Sequence, residues 1–319
     1  MTHASTREVQ QAKQVEHQIK VVAPADDIYR FIADVANWPQ IFPPSVHVEY
    51  VERADNEERI QIWATANGEV KTWTSRRVLD PNQLRIEFRQ EKSQNPVAAM
   101  GGAWIIEPVT DSESLVRLLH DYRAIDDDLE KLAWIDKAVD RNSKAELGAL
   151  KANAELVTNS NELRMTFEDT LQVNGSARDV FDFINEADLW ERRLPHVARV
   201  QLREDSPGLQ ILEMDTHTKG GGVHTTKSVR IVFPHSRIVY KQIEPPALMT
   251  LHTGQWSLRE NAGGVEVASR HTVAINEANI GKILGDASVD DARDFVRNAL
   301  SGNSMITMRH AKEYAESKQ

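Results

Sequence analysis

The sequence predicts an α+β fold built twice in tandem, each copy a curved antiparallel sheet folded around one long C-terminal helix. Two observations carry this. First, the chain repeats itself: Phe31, Trp38, Pro43 and Trp104 recur 152 residues later as Phe183, Trp190, Pro195 and Trp256, and Arg77 and Pro81 recur 153 residues later as Arg230 and Pro234. Second, each copy strings several strand-like runs together with only turn residues between them and keeps helical spacing for its ends. A parallel sheet would need a helix between successive strands.

Taken in order, residues 1–16 are polar and Gln-rich and read as a flexible tail. The first copy spans 17–157. It opens with a short strand at His17–Ala23 and a helix begun by Pro24-Ala-Asp-Asp, whose Ile28, Phe31, Ile32 and Val35 make one apolar stripe. Strand runs follow at Val46–Arg53, Arg59–Ala66, Val70–Leu79, Gln83–Gln90, Ala103–Pro108 and Ser114–Ile125, and a helix near 136–157 closes the copy. A Ser/Asn-rich linker is expected at 158–162. The second copy spans 163–317, with a strand at Thr166–Val173 and a helix capped by Ser176 that carries Val180, Phe181 and Ile184. Its later runs are Val197–Arg203, Gln210–Thr218, Val223–Phe233, Arg237–Ile243, Gly254–Arg259 and Gly264–Ile275, before a last helix near 288–317. Asn67-Gly68, Asp80-Pro81-Asn82, Gly220-Gly221-Gly222 and Asn261-Ala-Gly-Gly are the hairpin connections.

Composition narrows the function classes. The 319 residues contain no cysteine, which excludes disulfides, thiolate catalysis and Cys-based zinc sites. A net charge of −10 with no basic patch argues against a nucleic-acid partner. No apolar run approaches the ~20 residues that span a bilayer, and the N-terminus shows no secretory signal, so the expectation is a cytoplasmic protein with no membrane partner. The eleven histidines show no paired ligand spacing, so no metal site and no cofactor are expected. Asp126-Asp127-Asp128 reads as a solvated turn before a helix.

The informative segments are the paired strands Val70–Leu79 and Val223–Val232. Side chains alternate faces along a strand, so Lys71, Trp73, Ser75 and Arg77 share one face, and His224, Thr226, Ser228 and Arg230 share the matching one. An aromatic, a hydroxyl and a guanidinium in line fit the lining of a pocket; alternation alone fits the solvated face of a half-exposed sheet equally well. Retention of the Ser-Arg pair through the duplication favours the pocket. A buried arginine is costly unless its charge is used, and its fixed fork of donors suits an oxygen-rich ligand.

These residues resemble the aromatase/cyclases of bacterial type II polyketide synthases. The first copy does so through Asn37-Trp38-Pro39-Gln40-Ile41-Phe42, Trp73-Thr74-Ser75-Arg76-Arg77-Val78, Arg89, Trp104 and the region of Asn142. The second does so less closely, through Leu189-Trp190, Ser228-Val229-Arg230 and His252-Thr253-Gly254-Gln255-Trp256. The resemblance is to the two-domain subclass and covers nearly the whole chain. It implies a helix-grip fold of the START and Bet v 1 type in each copy, with a cavity between sheet and helix. It further implies an enzyme that folds a poly-β-ketone carried on an acyl carrier protein and usually reduced at one ketone. That enzyme closes the first ring by aldol chemistry, commonly between C7 and C12, then removes water and aromatises the ring, working beside the other synthase subunits.

The chemistry assigned to each residue follows. Arg77 and Arg230 would stabilise developing enolate and alkoxide charge, and Ser75 and Ser228 would bond ketone oxygens or hold a water. Trp38, Trp73, Trp104, Trp190 and Trp256 would wall the substrate, with Arg89, Asn142 and Thr226 contacting it. Trp190 and Trp256 serve equally well as plain core residues. His224 could move protons during loss of water, although a lone sheet histidine is more often structural. The family's single-domain members place a tyrosine seven residues after the first tryptophan; Ser45 stands there instead. The second copy has Thr226 in place of Trp73 and Lys241 or Gln242 in place of Arg89, so a roomier pocket is expected there, both pockets being open. Two other functional readings compete: a non-catalytic lipid or polyketide carrier of the same fold, and a division into one catalytic and one docking copy.

Overall fold

The computed structural model describes residues 12–66, 68–159, 161–217 and 221–318. Asn67, Ser160, Gly220 and residues 1–11 of the expected tail lie outside the described residues. The chain divides after Asn159 into two compact units.

In the first unit the strands are β1 (Lys13–Val21), β2 (Ser45–Arg53), β3 (Glu57–Ala66), β4 (Glu69–Asp80), β5 (Arg85–Gln90), β6 (Val97–Thr110) and β7 (Glu113–Ala124). All pair antiparallel in the order β1-β7-β6-β5-β4-β3-β2. Helices α1 (Ala25–Ala33) and α2 (Trp38–Ile41) follow β1, and α3 (Leu129–Asn159) follows β7. The second unit repeats this with β8 (Arg164–Val173), α4 (Ala177–Asn185), α5 (Trp190–Arg193), β9 (Val197–Ser206), β10 (Leu209–His217), β11 (Val223–Phe233), β12 (Arg237–Glu244), β13 (Met249–Asn261), β14 (Gly264–Ile275), α6 (Glu277–Leu284) and α7 (Val289–Glu316). Its sheet order, β8-β14-β13-β12-β11-β10-β9, is the same. The expected α+β duplication is what the chain adopts.

The elements form where the local chemistry favours them. Ile28 and Ile32 sit one turn apart on α1 and are fully buried, as are Val180 and Ile184 on α4. Ser176 caps α4 by accepting from the Asp179 amide, and Ser288 opens α7 with a reciprocal bond to Asp291. Along α3, Ile135, Val139, Ser143, Leu147, Leu150 and Ala154 fall on one buried stripe that packs on the sheet. Each fully buried aliphatic side chain contributes roughly 1.5–3 kcal/mol of transfer free energy.

Several boundaries differ from the sequence reading. Strand β1 starts at Lys13, inside the expected tail, because Lys13–Val21 pairs residue for residue with Tyr122–Ser114. Helix α3 runs to Asn159 and a 3-10 turn spans Asn161–Leu163, where a linker is expected. Helix α6 was not signalled at all. Asp126 and Asp127 adopt positive φ, and the Asp128 carboxylate accepts from the amides of Glu130 and Lys131, so the acidic run is a turn that caps α3. Among the described residues no helix is long and apolar enough to cross a membrane.

Candidate functional site

Strand β4 in the first unit and β11 in the second point their Ser-Arg pairs into the concave side of the sheet. Arg77 is 1% exposed and Arg230 2%, and they are the two largest fully buried side chains. Each closes the end of the unit's first helix. Arg77 Nη2 donates to the carbonyls of Ile32 (3.1 Å) and Ala33 (3.0 Å), and Arg230 Nη2 donates to that of Ile184 (2.8 Å). These carbonyls lack partners within their helices and carry the negative end of its dipole. Each guanidinium also lies 5.3 Å from the ring centroid of an indole, Trp38 or Trp190. Those indoles are held in turn, Trp38 Nε1 donating to Ile32 O and Trp190 Nε1 to Phe183 O. The recurrence of Trp and Arg thus records one clasp built twice.

The copies differ in what opposes the charge. Arg77 Nη1 faces the buried Glu58 carboxylate at 3.4 Å, whereas the residue paired with Arg230 across the sheet is Gln210. Burial lowers the pKa of both guanidiniums, Glu58 opposing the fall at Arg77 and Glu204 at Arg230, which is still taken down to about 10. Arg230 remains a cation at neutral pH, and its Nη1 is buried with no hydrogen-bond partner.

A cavity of about 120 Å³ opens beneath Arg230, room for several waters at the ~10–15 Å³ that one requires. Trp190 and Trp256 wall it, and His224, Thr226, Ser228 and Arg230 line it from β11, as alternation along that strand anticipates. Burial depresses the His224 imidazole, with Asp215 acting against the shift. Thr226 Oγ1 donates to Met214 O at 3.4 Å.

The cavity also holds a cluster that the sequence reading did not assemble. His271 Nε2 lies 2.9 Å from Ser304 Oγ and 3.1 Å from Ser269 Oγ, while its Nδ1 lies 3.1 Å from Tyr240 Oη and 3.0 Å from His252 Nε2. Burial lowers His271 to about 4, pushes His252 well below the usual imidazole range and raises the Tyr240 phenol, so all three are neutral at pH 7. Tyr240 is the cross-strand partner of Arg230. It fits because residue 254 has no side chain: a Cβ there would sit 2.3 Å from the Tyr240 hydroxyl. The first unit keeps a reduced version. Ser143 Oγ lies 3.4 Å from His120 Nδ1, His120 is lowered to about 4 by burial, and Phe88 occupies the place of Tyr240 above Gly102.

In the first unit Trp73 packs with Trp38 against Val35 and Ile60. Trp104 is buried 6.1 Å from Phe42, which contacts Trp38 edge-on. Ser75 Oγ donates to Arg89 O at 3.0 Å. Two expectations fail. Arg89 is not on the pocket face: the β4–β5 register sets Phe88 opposite Arg77 and Arg89 opposite Arg76, so the Arg89 side chain is 54% exposed and paired bidentately with Asp121 at 2.6 and 2.8 Å. Asn142 is exposed because the buried stripe of α3 passes through Ser143, one residue or ~100° further round the helix. The signal for the overlooked cluster lay in the repeat itself, since Gly102 and Gly254 are also 152 residues apart and each sits opposite a histidine, His120 or His271.

The polyketide cyclase/dehydrase and lipid transport family matches residues 12–155 and again 173–299. The granaticin polyketide synthase bifunctional cyclase/dehydratase of Streptomyces virginiae is 50% identical, over 92% of this chain and 96% of that protein. The actinorhodin polyketide synthase bifunctional cyclase/dehydratase of Streptomyces coelicolor is 45% identical, over 93% and 95%. Among solved structures, the di-domain ARO/CYC BexL of the BE-7585A pathway is 59% identical with a TM-score of 0.90, covering 95% of this chain and 99% of that one. The di-domain ARO/CYC StfQ of the steffimycin pathway is 34% identical with a TM-score of 0.86, over 95% and 99%. With both halves matched and relatives of this similarity along their whole length, the chain belongs to the polyketide cyclase/dehydrase family, as a tandem two-domain member.

Proposed function

We propose that this protein is an aromatase/cyclase. It takes a ketoreduced poly-β-ketone from an acyl carrier protein, closes the first ring between C7 and C12 by aldol addition, and removes water to aromatise it. The observation that carries the proposal is Arg230, a buried cation that lines a cavity walled by Trp190 and Trp256 and faces no carboxylate across the sheet. Aldol closure develops negative charge first on an enolate oxygen and then on an alkoxide. A guanidinium held by the α4 carbonyl and the Trp190 face is already in place for both, with little reorganisation, and low local polarity strengthens the interaction. The α-protons of a poly-ketone are acidic enough that no strong base is required. The indole walls hold the flexible chain bent and then the flat ring.

Ring position and carrier partner are carried from the resemblance to two-domain aromatase/cyclases, while the relatives' names support cyclisation and loss of water in a polyketide synthase. Arg77 stands to this chemistry differently, since its charge is opposed by Glu58, and we assign it to holding α1 against the sheet. The test is product analysis with a reconstituted minimal synthase and ketoreductase. Arg230→Ala should shift product from the cyclised aromatic to shunt compounds by about a hundredfold, the usual effect of removing one oxyanion donor. An unchanged ratio, or an unchanged product distribution when the whole protein is omitted, would leave a binding or carrier role instead.

A further inference from the structure

We infer that loss of water is carried out in the C-terminal cavity, with Tyr240 as the acid that protonates the departing hydroxyl and the His252–His271 pair as the relay that returns its proton. The inference rests on the cyclase reading above and assigns one of its steps to named atoms.

The proton positions follow from the contacts. Two serine oxygens, Ser304 Oγ and Ser269 Oγ, lie within hydrogen-bond distance of His271 Nε2, and Ser269 donates to Ser304. We assign the His271 proton to Nε2, facing these two oxygens, which leaves Nδ1 as an acceptor. Nδ1 has a single lone pair; taken by His252 Nε2–H at 3.0 Å, it leaves the Tyr240 hydroxyl, 3.1 Å away, free to turn its proton toward a ligand. With its proton on Nε2, His252 presents a bare lone pair on Nδ1, and that atom is buried without any partner. The protein has placed an uncommitted base and an uncommitted acid in one cavity and joined them through a single imidazole nitrogen.

A ring-closed β-hydroxyketone loses its α-proton to His252 Nδ1, and the C–H electron pair passes into an enolate whose oxygen faces Arg230. Collapse of the enolate forms the Cα=Cβ bond and breaks Cβ–O; the leaving oxygen takes the proton of Tyr240 Oη and departs as water. Now His252 carries an extra proton and Tyr240 has lost one. His252 Nε2–H passes its proton to His271 Nδ1, which passes it to the phenolate, along the two contacts of 3.0 and 3.1 Å. Substrate has become alkene plus water. His252 is left as its Nδ1–H tautomer, which exchange with a cavity water resets. Neutral resting imidazoles suit this role, because each has one bare nitrogen able to take a proton before it passes one on.

The first unit cannot run this step. Phe88 replaces Tyr240, and Met100 replaces His252 at the position two residues before the glycine. Only the serine-held histidine is kept, as His120 with Ser143.

The experiment uses the full chain with a reconstituted minimal synthase, ketoreductase, acyl carrier protein and malonyl extender, with mass spectrometry of the products. Tyr240→Phe installs the side chain that the other copy already folds with. It should raise the ratio of ring-closed product still carrying its hydroxyl, heavier than the aromatic by one water, by about a hundredfold, while total ring-closed product stays within about twofold. His252→Gln should shift the ratio the same way, and Phe88→Tyr should not move it. A wild-type ratio in Tyr240→Phe would overturn the inference. So would loss of all ring-closed product, which would make Tyr240 part of ring closure. If Arg230→Ala abolishes ring closure while Tyr240→Phe behaves as wild type, the relay alone is wrong and the cyclase reading survives. If neither variant changes the products, both are wrong.

Discussion

Glu146 offers a quantitative test of how the first unit's interior is built. It lies one turn beyond Ser143 on α3, on the side that faces the sheet, and burial alone raises its carboxyl from 4.5 to about 7. No basic group contributes to that shift. Below pH 4.5 the carboxyl is protonated whether the chain is folded or not, and it has no effect on the pH dependence of stability. Between 4.5 and 7 the folded state holds a proton that the unfolded state has released, so stability falls as pH rises, and above 7 the full penalty applies. At 1.36 kcal/mol per unit of pKa, and allowing for the partial exposure of this side chain, the penalty is about 2–3 kcal/mol. Glu146→Gln replaces the protonated acid by a near-isostere that cannot ionise. The variant and wild type should melt within about 2 °C of each other at pH 4.5, and at pH 8 the variant's first unit should melt roughly 5–10 °C higher, at ~2–4 °C per kcal/mol. Tryptophan fluorescence is the suitable probe, because five of the seven tryptophans, at 38, 63, 73, 104 and 134, belong to this unit. Comparing the two proteins at each pH cancels every other titration. A difference that does not grow between pH 4.5 and 8, or a variant less stable at pH 8, would refute the argument that desolvation governs this site.

Two further outcomes follow from the same geometry. Arg89→Ala should leave the product distribution unchanged and cost less than about 1 kcal/mol in urea unfolding, since it breaks only a largely exposed ion pair with Asp121 on the outer face; a changed product ratio would return Arg89 to the pocket. Gly254→Ala drives a Cβ into the Tyr240 ring and hydroxyl, and should cost about 1–3 kcal/mol of second-unit stability while producing the same hydroxylated product as Tyr240→Phe. Normal stability and normal product would show that Tyr240 has room to move aside.

Much of this architecture is written in local pattern. Hairpin turns, strand alternation and the N-cap at Ser176 depend on neighbours a few residues away, and the duplication supplies its own check. Pocket membership read along β11 succeeds for the same reason: two-residue alternation carries His224, Thr226, Ser228 and Arg230 to one surface. Arg89 fails because β5 follows a turn, and one residue of register decides which face a side chain takes. Asn142 fails because a 3.6-residue helix separates neighbours by ~100°, so a region of α3 cannot stand for a residue. The Tyr240–His271–His252 cluster joins residues on β12, β13 and β14 with Ser304 on α7, and no short-range pattern reports contacts between four separate elements. Helix α6 has no counterpart in the first copy, so the repeat could not reveal it.

The paired arginines differ in what opposes their charge, and the role proposed for Arg230 rests on that difference. In the first unit the Glu58 carboxylate 3.4 Å from Arg77 gives an attraction of about 5 kcal/mol at an effective dielectric of ~20, and an incoming substrate oxyanion would have to compete with it. In the second unit Gln210 stands at that position, and its amide turns aside to donate to Glu204 at 2.7 Å. Glu204 then offsets the burial of Arg230 only in part, and the guanidinium stays depressed from 12.5 to about 10, a net cost of roughly 3 kcal/mol. The second copy also exchanges Phe88 for Tyr240 and the acidic Glu146 for Thr307, which follows Ser304 by three residues as Glu146 follows Ser143. The first exchange removes the carboxylate paired across the sheet from the arginine, the second adds a phenol on the strand paired with Arg230, and the third removes an acid from the long helix. On the reading proposed for this cavity, stabilising a transient anion and then expelling water draws on both changes together. A site tuned only to bind would have gained more from keeping the carboxylate and its stability.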